Sequence, residues 1–206
     1  FEAIFLKGNH DDTLLQFLND PNLGEVWRNF GGFETLKSYG IEHRLGSSWG
    51  QTRAELLQRL PSEHLRFFQT LRLHYACGDY LFVHAGVRPG LLLEHQSERD
   101  LLWIRDEFLD SSMSFGRIVV HGHTPEKEPV VRANRIGIDT GAYMTGVLTA
   151  LVLEGKKSPI TVSTLKEAEQ FLDASRDPAR VGRRARGRQR RPKAMLSATV
   201  MCRNNA

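Results

Sequence analysis

YLFVHAGVRPG, residues 80–90, holds an apolar run from Tyr80 to Val83 that stops abruptly at a histidine and a glycine-bearing loop. Aromatic and aliphatic residues in succession, closed by turn residues, read as a short buried strand. A polar cluster stands at its end. The same design recurs on both sides, as IFLKGNHDD at 4–12 and RIVVHGHTP at 117–125. In open α/β sheets, ligands gather where strands end and loops begin. Asn9, His10, His84, His121 and His123 are therefore expected to converge on one rim. Gly8, Gly86 and Gly122 would let backbone and substrate approach closely there. Singly, each residue has a plainer explanation: His84 as a hydrogen-bonded strand end, Asn9 as a turn residue, Gly-His-Thr-Pro as an ordinary turn. The recurrence of the pattern three times outweighs these.

Outward from this centre, strands are predicted over Glu2–Leu6, Tyr80–His84, Arg117–His121, Arg135–Asp139, Val147–Leu153 and Ile160–Ser163. Helical spacing of apolar residues predicts helices over Asp12–Asn19, Gln51–Leu60 and Ser62–Leu71, with a shorter helix or turn over Arg99–Leu109. Trp27, Phe30 and Phe33 fall in a helical or looped stretch. Helices early and strands late predict a layered α/β or α+β sandwich. The chain opens on Phe1 rather than Met, already in strand-like sequence, so a piece of a longer product is expected.

The 206 residues are 40% hydrophobic and 25% charged, suiting one soluble globular domain with a sizeable core. No apolar run reaches the ~20 residues of a membrane span, and FEAIFLKGNH lacks the layout of a signal peptide. Cys77 and Cys202 are too few and too far apart for a disulfide framework, so a reducing, cytoplasmic setting is expected. The net charge of +4 is uneven. Nine Arg and one Lys against Asp177 lie in residues 174–206, leaving 18 basic and 23 acidic side chains in residues 1–173. Residues 1–173 are thus expected to form the folded domain, and 174–206 a disordered basic tail. A competing reading gives that tail salt-dependent affinity for nucleic acid or anionic surfaces. It lacks the interleaved aromatics that stack on bases.

LKGNHD, FVHAG, LLWIRDEF and HGHTP, in that order, resemble the phosphoprotein phosphatase branch of the calcineurin-like metallophosphoesterases. The closest likeness is to small bacterial serine/threonine phosphatases, with symmetrical diadenosine tetraphosphatases as near relatives. IGIDTGAYMTGVLTALVLEG, 136–155, looks like the region that follows in the bacterial members, so the resemblance spans roughly residues 2–155. It implies a four-layer α/β/β/α sandwich and two divalent metal ions, Mn²⁺ before Fe²⁺ or Zn²⁺. It implies hydrolysis of phosphoserine or phosphothreonine in a phosphoprotein, or of another phosphomonoester, by metal-activated hydroxide. Bis(5'-nucleosyl)-tetraphosphatase activity on the same metal core is the alternative. Asn9, His84 and His123 would be ligands of the second ion, His10 the general acid, and Arg105 a phosphate clamp. A mixed imidazole and amide set suits such borderline ions better than Ca²⁺. The family's Gly-Asp-x-His-Gly and Gly-Asp-x-x-Asp-Arg-Gly motifs would precede Glu2, and the chain as given holds neither. Weak Mn²⁺ binding and little turnover are therefore expected of it. Among the neighbours, Asp11 is expected to cap the following helix, Trp103 to pack and orient Arg105, His121 either to line the pocket or to be structural at the strand end, and Arg88 to be solvated.

Overall fold

A computed structural model describes residues 3–44 and 46–153, and the backbone of 160–164. The basic segment 174–206 lies outside the described residues, as do 154–159 and 165–173.

The strand centred on the opening motif, β2 (Tyr80–Val83), lies inside a five-stranded mixed sheet. It runs parallel to β3 (Ile118–His121), with Tyr80 opposite Ile118 and Phe82 opposite Val120. β3 in turn pairs in parallel with β5 (Arg135–Gly137). Antiparallel edge strands complete it: β1 (His74–Cys77) beside β2, and β4 (Val130–Val131) beside β5, in the order β1-β2-β3-β5-β4. A turn through Gly78, at φ 55°, joins β1 to β2. Positive φ there is the backbone that tight hairpins demand and glycine supplies.

Alternation sorts the side chains onto two buried faces. Leu81, Val83 and Val119 meet Leu101, Ile104 and Phe108 on one side. These come from α6 (Glu98–Trp103), the residue after it, and α7 (Asp106–Leu109). Phe82, Val120, Ile136 and Ile138 face the other way, against Ile4, Leu6 and Leu151. Leu151 belongs to β6 (Val147–Leu151), which pairs antiparallel with β7 (Ile160–Thr164) as a second sheet. Burial on both faces explains why the central strands read as unbroken apolar runs. The α/β expectation holds.

A third cluster is helical. α1 (Asn9–Asn19) buries Leu14, Phe17 and Leu18 against α2 (Gly24–Trp27), α3 (Gly32–Ser38) and α4 (Trp49–Arg59), with α5 (Ser62–Thr70) adding partly buried Leu65 and Phe68. Phe17 stacks on Trp27 with ring centroids 4.3 Å apart.

Two local expectations differ. Glu2–Leu6 does not run as a ladder strand among the described residues: Ile4 and Leu6 are buried, and Leu6 makes a single parallel bridge to Arg72. β1 and β4 were not anticipated, because both are short, lie at edges and include exposed residues.

Candidate metal centre

Each of the three motif loops delivers its side chain by a different backbone device. α1 begins at Asn9, immediately after Gly8. Asp11 does not open the helix as expected. It sits one turn in, where its Oδ2 accepts the Gly8 N–H at 2.8 Å and reaches back across the helix start. Asn9 is thereby buried in the first turn, 3% exposed. Gly8 is required for room: a Cβ there would lie 3.1 Å from the His84 ring and 3.3 Å from Asp11 Oδ2.

His84 simply continues β2. His123 is held otherwise. The Thr124 N–H donates to the Gly122 carbonyl at 2.8 Å, closing a three-residue turn with His123 at its centre, at φ 66°. That is the less common hand of such turns and a strained one. Among the described residues His123 is the one non-glycine with positive φ. The Gly122 N–H donates to the His84 carbonyl at 2.9 Å, tying the two histidine loops together.

Three donor atoms come together as a result. His84 Nε2 lies 2.8 Å from Asn9 Oδ1 and 3.2 Å from His123 Nδ1. Among the described residues no three His, Cys, Asp or Glu side chains gather, so the cluster consists of two imidazoles and an amide. Burial holds the His84 imidazole far below its ordinary range, at about 3, with His123, His10 and Arg105 adding repulsion. Burial likewise brings His123 down to about 4, aided by Arg105 and His10. Both rings are therefore neutral at pH 7, as ligands must be. His123 Nε2 and His10 Nδ1 are buried without hydrogen bonds, although the Trp103 and Phe30 carbonyls face them. Two neutral imidazoles and an amide oxygen form a donor set that suits a borderline divalent ion.

Arg105 is exposed at the rim, and its Nη1 donates to Thr124 Oγ1 at 3.0 Å. The phosphate-clamp candidate is thus fixed to the loop that carries His123. Trp103 does not hold Arg105 directly. It packs edge-on against His123, centroids 6.0 Å apart, and against Phe30 at 4.9 Å. Phe30 in turn meets the His10 ring at 5.9 Å.

His121 stays out of the cluster. It is 5% exposed, its Nδ1 donates to the Gly122 carbonyl at 3.1 Å, its Nε2 is buried without a hydrogen bond, and the ring lies edge-to-face on Phe108. Arg88 corrects the expectation of a solvated side chain. Its guanidinium takes both Asp100 oxygens, at 2.7 and 3.0 Å, and also pairs with Glu107. Gly86 serves packing rather than substrate approach, since a Cβ there would lie 2.4 Å from the Phe108 ring. Thr124 and Phe30 were not anticipated. Thr124 stands within the quoted HGHTP motif, but a short hydroxyl there gives no sign of its distant partner.

No family model matches the chain. It is 24% identical, over 187 residues, to the bis(5'-nucleosyl)-tetraphosphatase (asymmetrical) of Anoxybacillus flavithermus, covering 82% of this chain and 71% of that protein. Among solved structures it is similar to one provisionally described as a diadenosine tetraphosphatase, with TM-score 0.52 and 17% identity over 79% of this chain and 69% of the other. The fold is that of this solved structure. Among the described residues no helix is long and apolar enough to cross a membrane.

Proposed function

We propose that the chain carries part of the site of a metal-dependent hydrolase, with a dinucleoside polyphosphate as substrate. The observation that carries this is the convergence of Asn9 Oδ1, His84 Nε2 and His123 Nδ1 at 2.8 and 3.2 Å. These three would hold one divalent ion, Mn²⁺ before Fe²⁺ or Zn²⁺. A pair of such ions, when bound, supplies an acidified water and neutralises phosphoryl charge. The chain's own residues do the rest. His10, half-buried with Nδ1 inward, keeps Nε2 as the nitrogen able to pass a proton to a leaving oxygen. Arg105, braced by Thr124, presents a fork suited to two phosphate oxygens.

The serine/threonine phosphatase reading would use the same donors, but the relative and the fold neighbour both carry nucleotide-hydrolase names. Those names favour the tetraphosphatase alternative. With neutral donors alone, ion binding is weak, so assays need millimolar Mn²⁺. The test is a substrate panel on the full chain: diadenosine tetraphosphate, a phosphoserine peptide and p-nitrophenyl phosphate, with products separated by ion-exchange chromatography. Mn²⁺-dependent cleavage of the tetraphosphate is expected to exceed that of the peptide at least tenfold in kcat/KM, a gap of about 1.4 kcal/mol. ATP with AMP would mark asymmetrical cleavage, and ADP alone symmetrical. Preference for the phosphopeptide would overturn the substrate assignment, and Mn²⁺ binding that is unchanged by His84→Ala would overturn the whole reading.

A further inference from the structure

Four rings run unbroken from one side of the site to the other. His123 meets Trp103 at 81° between planes, Trp103 meets Phe30 at 77°, and Phe30 meets His10 at 78°. Each contact is edge to face, the arrangement aromatic quadrupoles favour. The chain of contacts is not a general feature of the core. Phe30 and Trp103 are only half-buried, and neither belongs to the large apolar clusters. Phe30 closes a 3₁₀ turn, Arg28–Phe30, after which Gly31 at φ 74° redirects the chain. The local backbone thus places this one aromatic ring against the first turn of α1.

A histidine so early in a helix has little to hold it. His10 has its Nδ1 buried and unbonded, so no hydrogen bond fixes the ring through that atom. Asp11 aims its Oδ2 at the Gly8 N–H and acts on His10 through its charge. Phe30 reaches the imidazole twice, through its ring and through a carbonyl that faces it. Ring packing selects a rotamer where polar contacts do not.

We infer that Phe30 is a positioning residue for His10, set in place by Trp103 and hence keyed to the same His123 that lies in the donor cluster. The ring contacts of Phe30 are to His10 and Trp103, not to the Asn9, His84 or His123 donor atoms. It acts by restricting the imidazole to the one orientation in which Nε2 can serve as proton donor. Proximity effects make such restriction consequential, since small misplacements of a catalytic group lower turnover steeply. The kinetic side of this inference rests on the proposed function; the structural side does not.

The experiment uses the full chain with Phe30→Leu, Phe30→Met and Phe30→Tyr. Histidine-selective NMR reads the ring directly. In the parent chain His10 should give one set of ring signals, displaced by the neighbouring aromatic current. In Phe30→Leu and Phe30→Met they should move toward free-histidine positions or split, while Phe30→Tyr keeps them. On diadenosine tetraphosphate, Phe30→Leu should lower kcat about tenfold with KM and bound Mn²⁺ unchanged, and Phe30→Tyr should stay within about twofold. In a His10→Asn background the same Phe30→Leu change should have almost no effect, because a residue acting through another adds nothing once that other is gone. Unmoved His10 signals in both Phe30→Leu and Phe30→Met, or an undiminished tenfold loss in the His10→Asn background, would overturn the inference. If no variant hydrolyses any substrate, the NMR result alone decides Phe30.

Discussion

Two polar clusters border the short helices α6 and α7, and they are built on opposite principles. Between the two helices, Arg88 has more partners than it needs: both oxygens of Asp100 in α6, which also takes the Ser97 hydroxyl, and then Glu107 in α7. Beyond the C-terminal end of α6, past Trp103, the histidines are neutral, depressed by burial, and leave His123 Nε2 and His10 Nδ1 without hydrogen bonds. Charge fully answered by protein is what a chain uses to fix a loop. Buried polar atoms left unanswered cost stability, about 1–3 kcal/mol each, and persist where something outside the chain completes them. The contrast holds between these two clusters but is not a general marker, since His121 Nε2 and Arg135 Nε, outside the donor cluster, are likewise buried without a hydrogen bond.

The widest gap between the clusters should come from removing one member of each. His84→Ala is expected to lower Mn²⁺ affinity and Mn²⁺-dependent turnover at least about 100-fold, as read by metal titration and steady-state kinetics. Arg88→Ala should leave both within about twofold. Comparable losses in the two variants would erase the distinction.

Acid should also tell them apart. Unfolded, the imidazoles titrate near 6.5; folded, His84 titrates at about 3 and His121 and His123 at about 4. Between those values the unfolded chain binds more protons, so metal-free stability should rise from about pH 4 to about pH 6.5 and level off above it. The Asp100 carboxyl is held below its ordinary 3.8, first by the Arg88 hydrogen bond. Its contribution is present above 3.8 and lost only as pH falls beneath that value. Melting curves in EDTA from pH 3 to 8 should thus show two separate regions of loss, and His121→Phe should soften only the upper one. A flat profile between pH 4 and 6.5 would show that the histidines are not buried neutral.

A smaller effect is expected where the two principles touch. Thr124→Val removes the hydroxyl that accepts from Arg105. KM for the tetraphosphate should rise about threefold, the worth of one net hydrogen bond, with kcat nearly unchanged and Thr124→Ser restoring the parent value. An unchanged KM would mean that Arg105 needs no brace. Smallest of all, Arg88→Ala should lower the melting temperature by only a few degrees, because its pairs are partly open to water and screened.

Much of this frame was legible in the sequence for a simple reason. A strand buried on both faces cannot hide its composition, so Tyr80–Val83 and Ile118–His121 stood out, and with them the histidines that follow. β1 and β4 did not, because a four-residue and a two-residue edge strand with exposed positions carry neither a run nor a reliable alternation. Pairings across long separations were equally silent. Arg88 with Glu107, Arg105 with Thr124 and His10 with Phe30 are set by how loops fold back, and no local periodicity encodes that. Asp11 shows the subtler case: the residue type was right for a helix start, but the cap works from three residues inside. The expected division at residue 173 and the character of the basic segment beyond it fall outside the described residues.

The left-handed backbone of His123 bears on how this site should be dissected and how it could drift. At φ 66°, alanine is a poor blank: it would delete the imidazole and at the same time ask an ordinary residue to adopt a conformation it disfavours. Loss of function in such a variant would mix two causes. Asparagine and glycine tolerate that conformation, so His123→Asn keeps the turn, the Gly122 link to His84 and the Thr124 support of Arg105 while removing only the ring. The same tolerance sets the route open to natural variation, in which a sequence that abandons the ligand can keep the loop by passing through Asn or Gly, whereas a β-branched replacement would give up both at once.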